Sequence, residues 1–209
     1  MAVVLCFGDS LTYGFDPATG GRFPPGQRWP DVLAADLGPD HTVLTEALPG
    51  RTTVFDSPYA EARSGRAMLP AILESHAPVD VVILMLGTND LQGPLELSAR
   101  HSASGLWTLI DIVNRSAAGP DASRPQCLVV APPLIVEPKG FMGVFYTGRE
   151  QESRELPGLY GEICGQTGTP FLAAGEVVQP SPVDGVHLDP QAQQTLGHAI
   201  SKRVRSLLP

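Results

Sequence analysis

Five short apolar runs, Val3–Phe7, Thr42–Ala47, Val79–Leu86, Cys127–Ala131 and Pro170–Ala173, limit most sharply what this chain can fold into. They are rich in Val, Leu and Ile and lack polar alternation, the pattern of strands buried on both faces in a parallel sheet. Between them lie segments with helical spacing: Trp29–Leu37, Met68–His76, Leu95–Ser116, Arg149–Gln166 and Pro190–Leu208. In the last, Ala192, Leu196, Ala199, Ile200, Val204 and Leu207 recur at three- and four-residue steps as an apolar stripe. Asp189-Pro190 supplies its start, an N-cap acid followed by proline at the first helical position. Strands alternating with helices imply right-handed crossovers and a three-layer α/β/α sandwich with helices on both faces of the sheet.

At 209 residues the chain is expected to form one domain, 1–209, because no linker, repeat or low-complexity segment divides it. Its formal charge of −8 and the lack of any Lys/Arg cluster argue against nucleic acid or an anionic membrane as partner. No apolar run approaches the ~20 residues of a membrane span, and no secretory leader is evident, so a cytoplasmic location is expected. Three cysteines, Cys6, Cys127 and Cys164, are widely separated, and neither a disulfide framework nor a CxxC metal site is suggested.

In a sheet of this kind, ligands meet the loops at the carboxyl ends of the strands. Three polar clusters stand there: "GDS" after the first run, "PGRTT" after the second and "GTND" after the third, putting Ser10, Gly50 and Asn89 on one rim. A fourth, "DGVHLD" at 184–189, precedes the last helix and joins the same rim. Serine is a poor nucleophile without a nearby base, and histidine is the natural one. His41, His76 and His101 lie among helix-end or surface-like residues and His198 inside a helix, which leaves His187. Asp184, three residues before it, is spaced to accept its Nδ1 proton and fix the tautomer. The same residues also fit a plain turn-and-cap element. Ser10 and Gly50 N–H groups with the Asn89 amide are candidate oxyanion donors, although Asn89 in "GTND" equally suits an Asx-turn. Asp9, beside the candidate nucleophile, reads as a holder of local backbone N–H groups rather than a second catalytic acid.

Taken in order, "FGDSLTYG", the glycine of "LPGRTT", "LGTND" and "DGVH" resemble the SGNH or GDSL-type serine hydrolases. Ser10, Gly50, Asn89 and His187 match the four residues that name that family, and Asp184 matches its acid. The resemblance implies a flavodoxin-like fold with five parallel strands, and a Ser-His-Asp esterase with no metal or cofactor. The wording "LCFGDSLTYG", Arg28-Trp29, Arg51–Thr53 and "IxMLGTND" looks like the bacterial arylesterase/acyltransferase branch. That likeness implies small short-acyl or aryl esters as substrates, and water, alcohols or peroxide as acyl acceptors. Some members of the branch carry another small residue in place of Gly50, and Tyr13 and Phe15 stand where tryptophans are expected, giving a wider or softer pocket wall.

Specificity is expected from Pro132–Gly148, apolar without a clear period. Its Phe141 and Phe145, with Met142, Val144 and Tyr146, form either a lid over the ester or a contact in a homo-oligomer. Two rival functions remain: a carbohydrate O-acetylesterase or lysophospholipase/thioesterase using the same triad, and a non-catalytic flavodoxin-like binding module. A GxSxG elbow, a phosphate loop, an HExxH helix and a GxGxxG turn are all lacking from the sequence.

Overall fold

A computed structural model describes residues 1–208. Strands β1 (Ala2–Gly8), β2 (His41–Ala47), β3 (Val81–Met85), β4 (Gln126–Ala131) and β5 (Phe171–Ala173) pair in parallel in the order β2-β1-β3-β4-β5. This is the flavodoxin-like order, with its switch point between β1 and β3. Seven α-helices accompany the strands among the described residues: α1 (Ser10–Tyr13), α2 (Trp29–Leu37), α3 (Gly65–His76), α4 (Ala99–Arg115), α5 (Gly140–Tyr146), α6 (Glu150–Thr167) and α7 (Pro190–Arg205). None is long and apolar enough to cross a membrane.

The period-2 geometry of a strand sends successive side chains to opposite faces, and the sheet uses both. Leu5, Phe7, Val82 and Leu84 point into one core with Leu69 and Leu73 of α3, Leu106 and Leu109 of α4, and Tyr160 of α6. Val4, Cys6, Ile83 and Met85 point into the other, against Trp29 and Leu33 of α2 and Leu196, Ile200 and Val204 of α7. The expected sandwich is therefore the observed one, with β1, β3 and β4 buried on both faces; β2 departs from that expectation, because as the edge strand it has no fully buried residue. Cys6, Cys127 and Cys164 are free and buried.

Element ends moved where local chemistry overrode apolar spacing. Helix α4 begins at Ala99, not Leu95, because the Ser98 N–H donates to His101 Nδ1 at 3.1 Å and fixes the start there. Helix α7 stops at Arg205, while α3 starts three residues before Met68. Two helices went unread: α1 is a single turn, and α5 has seven residues with two glycines, too little for a period to show.

Candidate active site

Strand β1 ends in a glycine for want of space. A Cβ on Gly8 would stand 2.0 Å from Thr12 Oγ1 and 3.0 Å from the Met85 carbonyl oxygen. Asp9 follows as the N-cap of α1, its carboxylate accepting the Leu11 N–H at 2.9 Å. Ser10 thus opens a one-turn helix at the carboxyl end of a central strand, beside the switch point.

His187 arrives from the other end of the chain. The Asp184 Oδ1 accepts the N–H groups of Val186 and His187, both at 2.9 Å, and closes a tight turn. Gly185 is obligatory in that turn: its φ is +75°, and a Cβ there would lie 2.1 Å from the Val136 carbonyl oxygen. The turn aims Asp184 Oδ2 at His187 Nδ1, 2.6 Å away, and leaves His187 Nε2 3.0 Å from Ser10 Oγ. All three side chains are buried. Burial pushes the Asp184 carboxyl up, but the hydrogen bond and charge of His187 and the two backbone N–H groups outweigh it and hold it below the ordinary carboxylate value. Phe15 packs on the imidazole, ring centroids 4.3 Å apart.

Asn89 follows β3 on the same rim, and its amide is fully engaged. Its Nδ2 donates to Asp9 Oδ2 and to the Arg51 carbonyl oxygen, both at 3.1 Å. Its Oδ1 accepts from the Tyr146 hydroxyl and from Gln92 Nε2, both at 3.0 Å. Gly50 has a φ of +81°, a left-handed conformation that favours glycine. Among the described residues, the N–H groups of Ser10 and Gly50 have no backbone acceptor and no side-chain one.

Ser10, Gly50, Asn89 and His187 all face one cavity of about 310 Å³. Helix α5 walls it on one side with Phe141, Met142, Phe145 and Tyr146. Tyr59 lines the same cavity, its ring edge-on to Phe145 with centroids 5.4 Å apart. Of the expected wall residues, Phe15, Phe141 and Phe145 line this space. Tyr13 does not. The bridge between Phe15 and Arg22 folds the chain back so that the Arg22 guanidinium lies 4.1 Å over the Tyr13 ring, and the ring is spent on that contact.

Around the site, Asp90 and Arg51 have no role assigned from the sequence, and Asp9 has one only as a holder of local N–H groups, which its bond to the Leu11 N–H bears out. Burial pushes the Asp9 carboxyl up to about 7, against the Leu11 N–H, the Arg51 cation and Asn89, which favour its ionised form. Asp90 receives the Thr53 N–H at 2.8 Å and the Thr53 hydroxyl at 2.7 Å, and burial pushes it up to about 6. Arg51 stacks on Phe7 and donates to the Gly8 carbonyl oxygen at 2.9 Å, bracing the strand end that carries Ser10. Their only signal was position inside "GDS", "GTND" and "RTT". Gln92 and Arg63 had none, because both reach the cavity through irregular segments.

The sequence profile of the GDSL-like lipase/acylhydrolase family matches residues 6–195. An aryl esterase from M. smegmatis, solved with an inhibitor bound, is 37% identical with a TM-score of 0.95, covering 100% of both chains. A carbohydrate acetylesterase from Sinorhizobium meliloti is 36% identical with a TM-score of 0.95, again over 100% of each chain. The arylesterase of Vibrio mimicus is 26% identical over 212 residues, covering 96% of this chain and 87% of that protein.

Proposed function

We propose that this chain, which belongs to the GDSL-like lipase/acylhydrolase family and is a carboxylic ester hydrolase, cleaves small short-acyl or aryl esters through Ser10, His187 and Asp184. The observation that carries this reading is His187 bridging Asp184 at 2.6 Å and Ser10 at 3.0 Å on the wall of a small apolar cavity. His187 Nε2 takes the Ser10 proton as Ser10 Oγ attacks the ester carbonyl, while Asp184 holds the tautomer and favours the imidazolium. The tetrahedral oxyanion is received by the N–H groups of Ser10 and Gly50 and by Asn89 Nδ2. For Asn89 to take part, its bond to Asp9 or to the Arg51 carbonyl lengthens and becomes shared with the oxyanion.

Collapse of the intermediate expels the alcohol, which leaves with the proton from His187. Water activated by the same imidazole then frees the acid and regenerates Ser10; an alcohol or peroxide entering instead yields the transfer product. A cavity of about 310 Å³ edged by Phe141 and Phe145 favours short acyl groups and aryl alcohols over long chains. The likeness to an acetylesterase of carbohydrates supports a second reading, in which the alcohol is an acetylated sugar.

A substrate panel separates these readings: phenyl acetate, p-nitrophenyl octanoate, an acetylated xyloside and an acyl thioester, with butanol in a parallel series. Phenyl acetate preferred over octanoate, with butyl acetate formed, is the expected result. Preference for the acetylated sugar would favour the second reading, and preference for octanoate or the thioester would sink both.

A further inference from the structure

The cavity wall carries one permanent cation, and no residue assigned to the chemistry needs it. Apart from the titratable His187, Arg63 is the only charged side chain among the described residues that line the cavity; no Asp or Glu does. The chain as a whole has a formal charge of −8, so a positive wall runs against the surrounding field.

Arg63 is placed rather than loose. Its carbonyl oxygen accepts the Thr52 N–H at 2.9 Å, which ties it to the loop that carries Gly50. The residue before it, Ala62, takes a φ of +57°, a left-handed conformation that side-chain-bearing residues rarely hold without a reason. A Cβ on Gly50 would lie 3.5 Å from Arg63 Nε, so the guanidinium lies alongside an expected oxyanion donor. Only one of its five N–H groups has a protein acceptor among the described residues, the Nη1 donating to the Glu61 carbonyl at 2.6 Å. It forms no ion pair with any described carboxylate. A planar, always-charged donor with free N–H groups beside an apolar cavity is built to receive a carboxylate, phosphate or sulfate.

We propose that Arg63 is a specificity-determining residue that selects esters bearing an anionic group on their acyl or alcohol part. The inference rests on the Ser10 reading only in taking the cavity as the ester site. A net-negative protein repels anionic substrates at long range, and a local cation in a partly enclosed, apolar site focuses the field that captures them.

The test compares charged and neutral members of two matched pairs. One pair, 4-acetoxybenzoate and its methyl ester, places the anion on the leaving group; the other, monophenyl succinate and its methyl ester, places it on the acyl part. The readout is the ratio of kcat/KM within each pair, for wild type, Arg63→Gln and Arg63→Lys. In at least one pair, Arg63→Gln is expected to lower the preference for the anion about tenfold or more, the scale of a charge-assisted hydrogen bond. Arg63→Lys keeps most of the preference, and added salt weakens it in wild type, a readout that needs no variant to fold. A ratio unmoved by Arg63→Gln in both pairs, or a wild-type ratio indifferent to salt, would overturn the proposal. Ser10→Ala run alongside separates the two claims, since turnover surviving in it removes the Ser10 mechanism while the ratios still report on Arg63.

Discussion

Gly8→Ala is a one-methyl change outside the chemistry that should disable the site. The added Cβ would stand 2.0 Å from Thr12 Oγ1, 2.6 Å from Thr12 Cβ and 3.0 Å from the Met85 carbonyl oxygen. Carbon atoms rest at about 3.5–4.0 Å, so Thr12 must retreat by roughly an ångström. Thr12 is fully buried and shares the single turn of α1 with Ser10. A close-packed interior has nowhere to put it, and the turn moves as a unit. A displacement of about 1 Å in the 3.0 Å contact between Ser10 Oγ and His187 Nε2 costs on the order of 10²-fold in turnover. The overpacking itself costs about 1–3 kcal/mol, or about 2–4 °C in Tm per kcal/mol for a chain of this size. The assay is kcat with p-nitrophenyl acetate together with a thermal melt followed by circular dichroism. Adding Thr12→Gly to Gly8→Ala removes both Thr12 contacts and should recover at least about tenfold of the lost rate. A folded Gly8→Ala enzyme with kcat within about threefold of wild type would refute the claim that the strand end fixes Ser10.

Two other outcomes follow from the polar groups around Ser10. Tyr146→Phe removes one of the two donors that orient Asn89 Oδ1, so kcat should fall about three- to tenfold with KM nearly unchanged, as expected for one neutral hydrogen bond; a KM effect without a kcat effect would place Tyr146 in substrate binding instead. Asp9 and Asp90 have folded pKa values of about 7 and about 6 against an ordinary 3.8, so folding favours their protonated forms. Their contribution to stability is full below about pH 4 and is lost as pH rises through 6 to 7. Asp184, held below its ordinary value, works oppositely, contributing above about pH 4 and losing that contribution in acid. Urea unfolding should therefore give lower stability at pH 8 than at pH 5, with the slope flattened in Asp90→Asn; stability that rises over that interval would contradict the burial of these two acids.

What the sequence made legible divides along the range of the physics involved. Burial on both faces leaves an unbroken apolar run in β1, β3 and β4, whereas the edge strand β2, with no buried residue, shows itself by its β-branched and leucine residues alone; α2 matches from end to end. The rim clusters were legible because glycine and aspartate mark places where the chain must turn abruptly, as at the strand end Gly8-Asp9 and in the loop at Asp184-Gly185. Contacts made across the chain left no mark. Asp9 was read as a holder of local N–H groups, and it is one for Leu11, but its other oxygen reaches Asn89, 80 residues away. Tyr13 is placed in the pocket wall by the family resemblance, where a tryptophan is expected, whereas the bridge between Phe15 and Arg22 turns the Arg22 guanidinium across its ring. Arg63 lies in an irregular stretch with no period, and its approach to Gly50 depends on the strained φ of Ala62.

The central claim, a nucleophilic Ser10 activated by His187, is tested most directly by fluorophosphonate labelling of wild type and Ser10→Ala, with peptide mapping and p-nitrophenyl acetate turnover on the same samples. One adduct on Ser10 in wild type, none in Ser10→Ala, and a loss of turnover of about 10³-fold or more is the expected result. An adduct on any other residue, or a Ser10→Ala protein that hydrolyses the ester at the wild-type rate, would contradict it.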